Sequence, residues 1–259
     1  MLVPVTQLPV SAVFAPLDDG SGRVEVVVRR LAEAIALGLV ADGDQLPSEL
    51  ELAGALNVST VTLRAALAAL RERGLVETRR GRGGGTFVRG PADPSAARLR
   101  QRLRELSSSE LREIGDYRAA IAGTAARLAA LRASGENVQR LRQVVAKLEK
   151  ATTMGERRRA DGRFHIELAA AAQSVRLTRA EIDIQAEAGE LLWLPYGEAV
   201  DPAEVVHSHT AVIDAVAARD AESARRLTEA HIDKGVQRLM EFHWRLVATA
   251  GGDDGGSTR

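Results

Sequence analysis

Apolar residues at Val24, Val27, Val28, Leu31 and Ile35 recur at helical intervals and stop near Gly38, which predicts an amphipathic helix. A polar turn, Ala41 to Pro47, follows. Ser48 with Glu51 three residues on has the spacing of a capping box, and Leu52, Ala53 and Leu56 continue a short helix from it. Asn57-Val58 breaks the pattern. Ser59 then caps a third helix, with Leu63, Leu67 and Leu70 facing inward and Gly74 closing it. After Gly74 the period changes: Leu75 to Thr78 predicts a short strand, Arg80 to Gly85 a glycine-rich turn, and Thr86 to Arg89 a returning strand. Three helices followed by a two-stranded hairpin is the layout of a winged helix-turn-helix.

Beyond Pro91 and Pro94, which mark a linker, helical patterns recur almost without strand signals. They predict helices over 109–132, 137–151, 157–172, 176–191, 204–218 and 221–248. The expected fold is therefore mainly α, in five parts: a flexible N-terminal arm (1–22), the winged helix-turn-helix (23–90), a linker (91–106), an all-α bundle (107–248) and a disordered tail (249–259).

Composition sharpens this picture. Hydrophobic residues make up 45% of the chain but aromatics only 3%, so the core is built from Ala, Leu, Val and Ile, which suit packed helices better than a sandwich. The absence of cysteine excludes disulfides and thiolate metal sites. No apolar run reaches the roughly 18 residues of a membrane span. Met1 to Pro16 lacks a basic leader and is interrupted by Pro4, Pro9 and Pro16, so it reads as an arm and not a signal peptide; a cytoplasmic protein is expected. The formal net charge is +0, yet between Thr60 and Gly90 seven arginines face only Glu72 and Glu77.

The run Leu46-Pro47-Ser48-Glu49-Leu50-Glu51-Leu52-Ala53 continues through Val58-Ser59, Leu63-Arg64-Ala65-Ala66-Leu67, Gly74-Leu75-Val76 and Gly83-Gly84-Gly85-Thr86-Phe87-Val88. This ordered string resembles the DNA-binding domain of the GntR superfamily of bacterial regulators. The resemblance implies candidate DNA contacts at Ser48, Glu49, Ser59, Thr60, Thr62, Arg64, Arg80, Gly81 and Arg82. Small polar residues at the start of a reading helix suit phosphates, an arginine one turn later reaches a phosphate or a guanine edge, and a glycine-rich wing lets backbone approach the duplex. Many family members carry arginine where this chain has Leu50 and Thr60, so the family's usual operator half-site does not transfer.

Asp161 and His165, four residues apart, share a helix face, and His209 and His231 fall on two later helices. Scattered histidines alone are ordinary core or surface residues. However, Asp161-Gly162-Arg163-Phe164-His165 is similar to the D-x-x-F-H signature of the FCD effector domain in the FadR subgroup, and the stretches around His209 and His231 look like its later histidine signatures. The resemblance implies that Asp161, His165, His209 and His231 ligate a divalent ion, zinc first and nickel or manganese as alternatives. It also places Arg118 toward an effector pocket, with Ala122 and Ser174 standing where glutamate and asparagine are frequent. His207 is expected to be exposed and His243 structural.

The expectation is a homodimeric transcriptional regulator, a repressor by family habit. It would bind a near-palindromic double-stranded operator under the control of a small carboxylate. The alternatives are a regulator whose signal is the metal itself, and a metal-dependent hydrolase. The hydrolase reading lacks a marked general base, a nucleophile elbow and a phosphate loop, since Gly83 to Gly85 are not followed by Lys-Ser/Thr; the chain is read as not an enzyme.

Overall fold

The computed structural model describes residues 13–16, 23–90, 93–197 and 201–252; most of the expected arm and the tail beyond Gly252 lie outside them. Contacts divide the chain into two compact units, one of residues 1–92 with 174–186, the other of 93–173 with 187–259.

In the first unit, α1 (Arg23–Ala36) buries Val27, Val28, Leu31, Ala34 and Ile35 along one stripe. Helix α2 (Glu49–Leu56) starts with the anticipated capping box. Ser48 Oγ accepts the Glu51 N–H at 3.3 Å, and Glu51 Oε2 accepts the Ser48 N–H at 2.9 Å. The helix stops at Asn57 in the left-handed region (φ 54°), which turns the chain into α3 (Thr60–Glu72). Ser59 caps α3, and Leu63, Ala66, Leu67 and Leu70 are buried. The wing is β1 (Val76–Arg79) paired antiparallel with β2 (Gly85–Val88), Val76 opposite Val88. Leu46 N–H donates to Thr86 O and Val88 N–H to Asp44 O, both at 2.8 Å, so the turn before α2 anchors the returning strand.

The second unit is helical: α4 (Ala96–Glu105), α5 (Ser108–Arg132), α6 (Gly135–Lys150), α7 (Met154–Ala171), a 3₁₀ helix (Leu191–Gly197), α9 (Ala203–Ala217) and α10 (Ala221–Gly252). The intervening α8 (Val175–Ala188) groups largely with the first unit, where Arg179 pairs with Glu33 of α1 at 2.5 Å. Capping boxes at Ser107/Glu110, Ser134/Asn137 and Thr153/Glu156 start α5, α6 and α7. The main core is small-residue packing: Ala126, Ala129 and Ala130 of α5 meet Leu141 and Val145 of α6, Leu168 of α7 and Val212 and Val216 of α9. Among the described residues no single helix is long and apolar enough to cross a membrane.

Two glycines on α5 set its distance from α10. A Cβ at Gly115 would lie 2.8 Å from Val236 Cγ1, and one at Gly123 2.5 Å from Glu229 Oε1. The absence of side chains there lets the helices close on each other around Arg118.

The structure differs from the sequence reading in the segment read as a linker, residues 91–106, most of which is α4. Ser95 caps it, accepting the Arg98 N–H at 3.2 Å. Leu99 and Leu103, one turn apart, bury themselves with Leu111, Leu191, Leu239 and Phe242. A two-leucine stripe among arginines is too thin a periodic signal to stand out. Helix α10 likewise runs on to Gly252, into the stretch read as tail. Leu103 is fully buried, so Leu103→Ala should destabilise the protein by about 2–5 kcal/mol, measured by chemical denaturation. A change within about 0.5 kcal/mol would mean that α4 contributes little to this core.

Candidate metal centre and DNA-reading surface

The first unit gathers the residues expected to meet DNA at the starts of α2 and α3 and in the hairpin turn. Ser48 and Ser59 are N-caps, so their hydroxyls already accept backbone N–H groups; Ser59 Oγ also lies 2.9 Å from Thr62 Oγ1. Arg64 Nε donates to Glu49 Oε2 at 2.7 Å, joining the two helix starts. Arg80, Gly81 and Arg82 are exposed in the turn between the strands, where Gly81 and Gly83 adopt positive φ. Thr60 is half-buried at the first position of α3.

In the second unit, α7 presents Asp161 and His165 on one face, α9 brings His209 and α10 brings His231. One ligating atom from each lies within 4.8 Å of all the others. Asp161 Oδ1 is 3.3 Å from His209 Nε2 and 3.8 Å from His165 Nε2, and the Nε2 atoms of His209 and His231 are 3.3 Å apart. The ring of Phe164 stacks on His209 with centroids 3.7 Å apart and planes 13° from parallel, fixing that imidazole's orientation.

Burial dominates the electrostatics. It pushes the Asp161 carboxyl up, opposed by the charge of Arg118 and the hydrogen bond from Trp193. It holds His165 and His209 well below the usual histidine range, with the charge of Arg118 and the neighbouring imidazoles adding to the effect. His231 is lowered to about 3, by burial first and then by Arg118 and Arg238. The imidazoles are therefore neutral near pH 7 and present lone pairs, as a metal ligand must. Asp161 Oδ1 and both ring nitrogens of His165 are buried without a hydrogen-bond partner, as are His209 Nδ1 and Arg118 Nε. One carboxylate and three neutral imidazoles converging this closely fit a divalent cation.

The four residues singled out as ligands thus come together, with Arg118, only 2% exposed, acting electrostatically on all of them. His207 is exposed, as expected. His243 is buried but stands apart from the four-residue group. Ala122 is buried, and Ser174 caps the start of α8 through the Leu177 N–H at 3.4 Å.

Trp193 was not foreseen from sequence. From the 3₁₀ helix its indole Nε1 donates to Asp161 Oδ2 at 3.0 Å, occupying one carboxylate oxygen and leaving Oδ1 toward the imidazoles. The only sequence signal for it was a rare aromatic in an aromatic-poor chain. Trp193→Phe keeps the ring and removes the donor. Divalent-metal affinity should then fall about tenfold in competition with a chromophoric chelator, and unchanged affinity would show that this bond does not orient the carboxylate.

The comparisons with known proteins agree with this division. The family of bacterial regulatory proteins, gntR family, matches residues 23–88, and the FCD domain matches 113–234. A Mycobacterium gastri protein, named as the HTH-type transcriptional regulator RmpR, is 44% identical over 85% of this chain and 81% of its own length. An Escherichia coli protein named for regulation of the L-lactate dehydrogenase operon is 32% identical over 73% of this chain and 76% of its own. Among solved structures, E. coli McbR/YncC shares the fold with TM-score 0.52 and 19% identity, covering 86% of this chain and all of that one. These relatives are regulators and not enzymes. The chain belongs to the GntR family of DNA-binding transcriptional regulators and carries an FCD effector domain.

Proposed function

We propose that the chain is a repressor whose operator affinity is set by a small organic carboxylate bound beside a divalent ion held by Asp161, His165, His209 and His231. The carrying observation is the buried group of four converging donors with Arg118, whose buried Nε has no hydrogen-bond partner, acting on it electrostatically. A bound ion supplies open coordination positions to a carboxylate. Arg118 supplies a fixed positive charge and a hydrogen-bond donor for the same anion. The narrow cleft that reaches His231 is bounded by Lys234 and Arg238, both ion-paired to Glu204, which gives an anion a basic approach. The relative named for the L-lactate dehydrogenase operon points to the same ligand class, since lactate is a small hydroxycarboxylate.

In this reading residues 23–90 bind DNA and 107–248 sense and dimerise, within the cytoplasm. A two-fold dimer meets a near-palindromic operator, with Arg64, Arg80 and Arg82 as the leading duplex contacts. Binding of the acid shifts the dimer between two states by the difference in its affinity for them, and operator affinity moves with that difference.

Operator affinity titrated with zinc alone, then with zinc plus a panel of small hydroxy and dicarboxylic acids, tests this reading. A response to zinc alone, unchanged by every acid, would make the ion the signal. His209→Ala and His231→Ala should each lower bound metal well below one per chain by elemental analysis; stoichiometric metal in both would remove the proposed site. Asp161→Ala should keep its effector-free operator affinity within about tenfold of wild type and lose most of its response to the acid. A normal response in that variant would mean that the ion plays no part in sensing.

A further inference from the structure

Among the described residues, Leu50 and Val61 are the most exposed large apolar side chains, at 76% and 74%. Isolated apolar residues on a surface are ordinary. These two, however, are the second residues of α2 and α3, the helices of the helix-turn-helix. Ala65, one turn beyond Val61, is exposed as well, as is Gly54, one turn beyond Leu50. The Glu49–Arg64 pair joins the two helix starts, with Leu50 next to Glu49 in the chain and Val61 one turn before Arg64. The reading face thus sets Leu50, Val61 and Ala65 beside the Glu49–Arg64 ion pair and the hydroxyls of Ser59 and Thr62.

The donor inventory of that face limits which bases it can read. In the major groove guanine is read by arginine or lysine, adenine by asparagine or glutamine, cytosine by a carboxylate and thymine by an apolar contact to its methyl, while serine and threonine discriminate less. Helix α2 and the first two turns of α3 contain no Asn, Gln or Lys, and their single arginine, Arg64, shares an exposed ion pair with Glu49. Exposed Arg71, Arg80 and Arg82 supply positive charge for the duplex backbone elsewhere on the same unit.

We propose that Leu50, Val61 and Ala65 read thymine methyl groups, so that each operator half-site carries thymine where α2 and α3 face the major groove. This rests on the chain being a DNA-binding regulator and names the bases it selects. The test begins with selection of binding sites for the full-length protein from a randomised duplex pool. Each thymine of the selected operator is then replaced singly by deoxyuridine, which removes the methyl and keeps the hydrogen-bonding pattern. Wild-type affinity should fall about fourfold at one or more positions per half-site, the value of one methyl returned to water. The double variant Leu50→Ala, Val61→Ala should bind the thymine operator more weakly and lose most of the discrimination between thymine and deoxyuridine at one or more of those positions. Thermal melting of the variant close to wild type would confirm that it folds, as the exposure of both side chains leads us to expect. Equal affinity of wild type for thymine and deoxyuridine at every position, or full discrimination retained by the variant, would overturn the proposal alone. A selection that enriches no duplex would overturn it together with the DNA-binding conclusion.

Discussion

A cluster of polar and ionisable groups enclosed in an alanine-rich helical core is the constraint around which the second unit is organised. Burying a polar atom without a partner costs roughly 1–3 kcal/mol. Asp161 Oδ1, both nitrogens of His165, His209 Nδ1 and Arg118 Nε all stand in that condition. Together such costs rival the net stability of about 5–15 kcal/mol typical of a folded domain. The apolar packing of α5, α6, α7 and α9 is what holds these groups in place. That cost favours any occupant able to satisfy several of them at once.

The scaffold serves the cluster in particular ways. Glycines 115 and 123 let α5 close on α10, which sets the charge of Arg118 against His231 across that contact. Phe164 fixes the plane of His209, and Trp193 takes the second oxygen of Asp161. The residues around the donors are thus chosen for what they do to orientation and charge, and a packed core of Ala and Leu leaves little room for them to turn.

What could be read in the chain beforehand followed the range of each signal. Helix caps and the change of period after Gly74 are local, so Ser48, Ser59 and the hairpin were legible at nearly their observed positions. Helix α4 was not, because Leu99 and Leu103 are its whole buried stripe and the rest is arginine-rich. The grouping of α8 with the first unit also escaped, since it depends on partners such as Glu33, 146 residues away. In the site, spacing puts Asp161 and His165 on one helix face, but all four ligands were singled out by resemblance to a known domain. Trp193 meets Asp161 across 32 residues from an irregular segment, and no periodic pattern encodes such a contact.

With Arg64 as the duplex contact proposed above, its bond to Glu49 bears on how the regulator searches a genome. A guanidinium that arrives already paired exchanges partners on reaching DNA instead of simply gaining one. The carboxylate it leaves behind then sits against a polyanion. On duplex of arbitrary sequence that exchange has little to offset it, so loose, phosphate-driven attachment is weakened at the reading helix. On the right sequence the contacts around it restore the balance. On that proposal the built-in acid would act against the vast excess of wrong sites, widening the gap between chance encounter and residence at the operator.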